Sequence, residues 1–251
     1  MHLDTELRIK PTDRVLDIGP GSLPFERADV LVERWPGDKG MRQRGGAEFR
    51  TNGKPLVIAD GFALPFADDT FDFVMCSHVV EHIDASHIDG FLKELGRVGR
   101  RGYIEAPSEV YERMWDVKEH RWFVYVRDGD RLVLRPKTSR NCAPQYFGAF
   151  WPLLSKTRGC QNFMHGYKEL FSVGYLWSGH PRWEVVGEEE EIIDWKNETV
   201  VQELIGRVDK SYQRFEESYL DPRVLQQRGR RWMLKQGLLM SGPGWLRKLF
   251  E

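Results

Sequence analysis

Five short, almost continuously apolar runs in the first 107 residues set the strongest limit on how this chain can fold. They are Arg14–Ile18 (RVLDI), Ala28–Glu33 (ADVLVE), Pro55–Asp60 (PLVIAD), Phe71–His78 (FDFVMCSH) and Arg101–Ala106 (RGYIEA). A run without polar alternation reads as a strand covered on both faces. Separated by connections too long for hairpins, such strands predict an α/β fold with a mostly parallel sheet. Between the fourth and fifth runs, Ile88, Phe91, Leu92, Leu95 and Val98 recur at helical spacing, predicting a helix from about Ser86 to Val98. Ligands of parallel sheets bind beyond the carboxyl ends of the strands. Chemistry is therefore sought at Gly19–Ser22, Glu33, Asp60–Phe62, Ser77–His82 and Pro107–Glu109.

The second half reads differently. Trp122–Arg127 and Arg131–Arg135 alternate around Asp128-Gly129, which predicts an inserted β-hairpin. Residues 138–168 have no clear period and read as loop and lid. Leu170–Trp177 and Trp183–Val186 read as a closing pair of strands around Gly179–Pro181. Helical patterns follow at Asn197–Ser218 and Pro222–Met240. The expected division is a domain over 1–190 and a C-terminal helical extension over 191–251.

With 37 Lys plus Arg against 38 Asp plus Glu, the net charge of −1 gives no global pull toward nucleic acid. The odd count of three cysteines, Cys76, Cys142 and Cys160, lacks metal-type spacing and predicts free thiols in a reducing compartment. With no signal-peptide pattern at the N-terminus and no long apolar run, the expected location is the cytoplasm.

Asp17-Ile18-Gly19-Pro20-Gly21 follows the first run directly. Its glycines allow positive φ and close approach of a ligand to the backbone. Alone, this turn fits either a dinucleotide or another nucleotide-type cofactor. Glu33 ends the second run, where a carboxylate can accept hydrogen bonds from ribose hydroxyls. Asp60 ends the third, where it can accept from an adenine amino group, with Phe62 or Leu64 against the ring. A dinucleotide fingerprint wants a third glycine where Pro24 stands.

The stretch Ala59–Ile83 (ADGFALPFADDTFDFVMCSHVVEHI) resembles the core of the class I S-adenosylmethionine (SAM)-dependent methyltransferases of the methyltransferase-11 type. The resemblance runs over about residues 13–108. It implies a Rossmann-like, mostly parallel seven-stranded sheet, an active SAM-dependent methyltransferase, and SAM as cofactor. It further implies that Asp17, Gly19 and Gly21 hold the methionine end, Glu33 the ribose, and Asp60, Gly61 and Phe62 the adenine. Ser77 and His78 would then flank the methyl group. Eleven residues including Pro24 separate Gly21 from Glu33, so the first helix should be short or missing.

His78-Val79-Val80-Glu81-His82 leaves three readings open. His82 buttresses the turn after the fourth strand; or His78 is a general base toward an acceptor hydroxyl; or His78, Glu81 and His82 share a helix face and bind a divalent metal, with His120 as a fourth ligand. The last resembles the E-x-x-E-H site of plant small-RNA 2′-O-methyltransferases and certain ubiquinone-pathway O-methyltransferases. The same string is the inverzincin protease signature, which needs one long helix.

The acceptor pocket is expected among Glu109, Tyr111, His120, Arg121 and Trp122, with Tyr146, Trp151, His165, Tyr167 and Trp177. Histidines and acids around the methyl position favour a hydroxyl acceptor on a sugar, glycan or other small molecule, with His78, His82 and His120 as catalytic candidates. A non-catalytic SAM-fold partner subunit is the alternative from another class. The basic and aromatic tail, Arg228–Phe250, fits packing on a homodimer partner or contact with a membrane surface.

Overall fold

The computed structural model describes residues 6–37, 47–138 and 157–191, with isolated positions 199, 202, 203, 205, 206 and 213 beyond them. All five apolar runs form strands: β1 (Val15–Ile18), β2 (Val30–Glu33), β3 (Leu56–Ile58), β4 (Phe73–Ser77) and β5 (Arg101–Pro107). They pair in parallel, and β8 (Ser172–Ser178) closes the sheet antiparallel to β5, giving the order β3-β2-β1-β4-β5-β8. The order reverses between β1 and β4, which places the ligand-binding crevice of a doubly wound sheet there.

One face of the sheet carries most of the core. Leu16, Ile18, Val74, Cys76 and Ile104 pack on the apolar stripe of α1 (Ile88–Val98), whose Phe91, Leu92, Leu95 and Val98 are fully buried. The opposite face holds a smaller cluster, Val15, Phe73, Met75 and Tyr103, covered in part by Leu7, Ile9 and Phe25. As the spacing required, no helix follows β1. Pro20 and Pro24 break the segment into turns, held by Leu23 N–H to Pro20 O (3.1 Å), Phe25 N–H to Asp17 Oδ2 (2.8 Å) and Ala28 N–H to Phe25 O (3.0 Å).

The hairpin is present as β6 (Trp122–Arg127) and β7 (Arg131–Pro136), with left-handed φ at Asp128 and Gly129 in its turn. A further helix, α2 (Glu109–Trp115), starts where the Ser108 hydroxyl accepts the Tyr111 N–H (3.2 Å), and its Val110, Tyr111, Met114 and Trp115 pack in a cluster with Cys160 and Phe171.

The main sheet has six strands among the described residues. Two expectations are corrected, and the first is the supposed closing pair, which is divided between two sheets. β9 (Trp183–Val185) runs parallel to β7 in the sheet β6-β7-β9. Its Glu184 pairs with Arg127 and Arg131 of the hairpin, and the Trp183 Nε1–H reaches Asp89 Oδ1 (2.7 Å), so charge and hydrogen bonding draw β9 away from β8. The aperiodic stretch is also partly helical: α3 (Arg158–Gly166) opens on Thr157, whose hydroxyl accepts the Cys160 N–H (3.3 Å), and α4 (Lys168–Phe171) leads into β8. The C-terminal helical extension, the basic tail, Cys142, Tyr146 and Trp151 lie outside the described residues. Cys76 and Cys160 are free and buried, and among the described residues no helix is long and apolar enough to cross a membrane.

Candidate functional site

A single cavity of about 770 Å³ opens at the β1/β4 reversal and is lined by the segments that follow β1, β2, β3 and β4. Its two ends differ in chemistry.

The first end gathers the glycine turn and the acids. Gly19 and Gly21 both have left-handed φ, +66° and +58°. A Cβ on Gly19 would lie 2.5 Å from Val79 Cγ2, so only glycine fits between the turn and the segment after β4. Asp17 is 3% exposed and accepts the Phe25 N–H (2.8 Å), so it shapes the loop as well as facing the cavity. One oxygen of Glu33 accepts the Trp35 N–H (3.0 Å), which aims the carboxylate into the cavity. Gly61 lies against the Phe91 ring, where a Cβ would come within 2.6 Å. Phe62 presents a ring stacked on His87, with centroids 4.6 Å apart. Ser77, Asp60, Gly61 and Phe62 all line the same cavity; Leu64, the other ring candidate, is buried in the core.

Arg34 is a site residue the sequence reading missed. Its guanidinium pairs with Asp60 and lies over the rings of Trp35 (4.4 Å) and Phe62 (5.8 Å). The signal was an arginine next to Glu33, one step beyond the strand end.

The second end is titratable. His78 has φ +57° and its N–H donates to Glu105 O (2.8 Å). Its ring bridges two carboxylates, Nδ1 to Glu81 Oε1 and Nε2 to Glu105 Oε1, each at 3.4 Å. Burial opposes charge on the ring, but Glu105 and Glu81 outweigh it and push His78 up to about 10, so the ring is an imidazolium at neutral pH. Burial likewise favours a neutral Glu81, yet the charged His78 ring beside it holds its carboxyl below the usual range.

Glu81 and His82 lie in a 3₁₀ turn, Val80–His82, and this overturns the helix-face argument. In three residues of 3₁₀ geometry the i, i+3 and i+4 positions do not share an α-helical face. The long helix of the protease signature is not formed at this motif either. The group that converges is Glu81, His82 and His120, with one ligand atom from each within 4.8 Å of the others. His120 arrives because Arg121 N–H donates to Glu81 O (2.6 Å) and Trp122 Nε1–H to Ile83 O (2.6 Å). The imidazoles of His82 and His120 meet edge to face, 4.6 Å between centroids. Burial is the first cause lowering the pKa of His82, which keeps that ring neutral at pH 7.

Of the expected acceptor residues, Tyr111, His120 and Arg121 line the cavity. Glu109 does not; it is buried in ion pairs with Arg113 and Arg135. Trp122 and Trp177 belong to the core. His165 and Tyr167 lie on or beside α3, away from the cavity lining.

A glycine turn and two acids at strand ends, Glu33 and Asp60, line a cavity at the reversal of a mostly parallel sheet, the arrangement of a Rossmann-like domain. Residues 37–104 match the sequence profile of the family described as "Methyltransferase domain". The chain is thus similar to methyltransferases over this part of its length. Among curated proteins it is similar to the demethylmenaquinone methyltransferase of Streptomyces avermitilis, 33% identical over 110 residues, covering 42% of this chain and 46% of the relative. The Corynebacterium efficiens protein of the same name is 29% identical over 100 residues, covering 38% and 41%. The chain thus matches under half the length of these relatives. Solved structures with a similar fold include the PH0226 protein of Pyrococcus horikoshii (15% identical, 68% of this chain and 84% of that one, TM-score 0.38). A SAM-dependent methyltransferase of Archaeoglobus fulgidus is 23% identical over 47% of this chain and 57% of its own, with TM-score 0.36.

Proposed function

We infer that this protein transfers a methyl group from SAM to a hydroxyl oxygen of a small-molecule acceptor. The observation that carries the reading is one cavity with a nucleotide-shaped end and a histidine-carboxylate end. The residues present fit SAM. The Gly19 cradle leaves no room for a Cβ, Glu33 is aimed by the Trp35 amide, and Phe62 offers a ring face beside Asp60. Asp17, Gly19 and Gly21 would hold the methionine end, Glu33 the ribose, and Asp60 with Gly61 and Phe62 the adenine, with Ser77 beside the methyl group.

SAM, when bound, supplies an already activated methyl group. What remains for the chain is to orient the acceptor and take its proton. His78 is badly suited to take it, since the ring already carries a proton between two carboxylates. Its role in this reading is to hold Glu81 and Glu105 in place. His82, whose pKa burial lowers, and His120 line the cavity at the histidine-carboxylate end, where a hydroxyl would enter. A sugar hydroxyl fits the histidines and the carboxylate at that end, while the curated relatives are named for a demethylated quinone, an acceptor that takes the methyl on a ring carbon and is the competing reading.

Calorimetry with SAM and with its demethylated product tests the cofactor assignment. Micromolar binding of both is expected; binding of neither would leave a SAM-fold partner subunit instead. A radiolabelled-methyl screen over hydroxylated sugars, phenols and demethylmenaquinone-like quinones then identifies the acceptor.

A further inference from the structure

We propose that Glu81, His82 and His120 form a binding site for a divalent transition-metal ion of the zinc class, open toward the acceptor end of the cavity. The inference deepens the proposed methyltransferase reading and rests on it for the role of the ion, though not for its binding.

The tautomers carry the argument. The oxygen nearest His82 Nδ1 is the Glu119 carbonyl (3.3 Å), which can only accept, so Nδ1 carries the hydrogen and Nε2 keeps its lone pair. His120 is arranged in the same way, its Nδ1 hydrogen-bonded to a carboxylate oxygen of Glu112. An imidazole fixed by an oxygen acceptor on one nitrogen, with the other left for the ion, is the usual arrangement of a metal-ligating histidine. Glu112 is itself held, 1% exposed, by the Lys137 ammonium (2.7 Å).

The third ligand answers to a different observation. Glu81 is 1% exposed, yet neither of its carboxylate oxygens accepts a hydrogen bond among the described residues; Oε1 has only the 3.4 Å ion-pair contact with His78. A buried carboxylate whose oxygens accept no hydrogen bond is costly unless a cation takes one of them. One ligand atom from each of the three residues lies within 4.8 Å of the others. Bonds of 2.0–2.2 Å in tetrahedral geometry place ligands roughly 3.4 Å apart, so the bound group would be tighter than this one. Two imidazoles and one carboxylate suit zinc and its first-row neighbours, whereas magnesium and calcium prefer all-oxygen sites.

Three protein ligands leave at least one position open, and Glu81, His82 and His120 all line the cavity. An acceptor hydroxyl in that position would release its proton to water more readily, the O–H electron pair staying on the oxygen held by the ion.

The test uses the untagged full chain, stripped with a chelator and titrated with Co²⁺, Zn²⁺ and Mg²⁺. Cobalt should give visible d–d absorption with one equivalent bound, zinc should displace it, and magnesium should do neither. His82→Ala and His120→Ala should each weaken cobalt binding at least a hundredfold, with His120→Asn as the milder partner if alanine impairs folding. His180→Gln, exposed and outside the cavity, should keep the absorption band. A wild-type chain without the band, a His120→Ala variant that binds like wild type, or an equal loss in His180→Gln would overturn the site. SAM binding is measured separately on the metal-free chain. Cobalt binding without SAM binding would sink the methyltransferase reading and leave the centre standing, and the reverse would do the opposite.

Discussion

Gly19→Ala is the substitution whose cost the structure divides most cleanly. The new Cβ meets two separate penalties. The residue sits at φ +66°, a conformation that costs an L-residue about 1–2 kcal/mol. The Cβ also lands 2.5 Å from Val79 Cγ2, well inside the ~3.5–4.0 Å at which carbon atoms pack, and relieving such overlap costs about 1–3 kcal/mol. The single variant should therefore lose about 2–5 kcal/mol. Val79→Ala removes the offending methyl, and the next contact, Val79 Cβ at 3.7 Å, is ordinary. Alone it should cost about 1 kcal/mol, since Val79 is only half-buried. In the double variant the overlap disappears while the backbone strain stays. The two effects should then fall short of additivity by about 1–3 kcal/mol. Urea denaturation followed by tryptophan fluorescence measures the cycle, and calorimetry with SAM reads the same four proteins for binding. SAM affinity should drop more than tenfold in Gly19→Ala and recover in part in the double variant. Additivity within about 0.5 kcal/mol would refute the packing of the glycine turn on Val79.

Other perturbations follow from the same geometry. Lys137→Met leaves the buried Glu112 carboxylate without its ammonium and should lower stability by about 3–5 kcal/mol, read as a fall in the urea midpoint at unchanged slope. Glu33→Gln should weaken SAM by roughly ten- to a hundredfold, the effect of losing a charged hydrogen bond, while the acceptor KM stays put. Phe62→Ala should cost about tenfold in SAM affinity with little change in Tm, and an equal loss for the acceptor would misplace the ring. The Arg97 guanidinium is the first cause holding the Glu94 carboxyl below its ordinary value. A depressed folded pKa adds stability that is complete above the unfolded pKa of about 4.3 and is lost as pH falls through the folded value. Glu94→Gln should thus lower stability at pH 6 by about 1 kcal/mol or less, the pair being partly solvated, and by progressively less below pH 4.

The parallel sheet was legible because strands covered on both faces leave continuous apolar runs, and the cofactor end because its acids stand where those runs stop. The histidine end was legible in composition but not in shape. A motif fixes spacing along the chain, and His78-Val79-Val80-Glu81-His82 converges on one face only if the backbone is an α-helix. Left-handed φ at His78 and a three-residue 3₁₀ turn send His78 toward Glu105 and leave His82 for His120. Glu105 escaped notice inside RGYIEA because the run read as core. The pleat puts it on the same face as Tyr103, whose hydroxyl donates to it (2.9 Å), and alternation along that strand would have exposed it. Glu112 and Lys137 left no local trace. A buried pair contributed by a helix and the end of a hairpin, 25 residues apart, has no period to detect. The same physics explains β9: its three residues carry little apolar pattern, and the charge of Glu184 against Arg127 and Arg131 decides which sheet they join. Local periodicity is thus enough for elements whose burial sets their sequence. It fails where one carboxylate, held by a distant cation, does the placing, and in this chain that is the histidine end of the cavity.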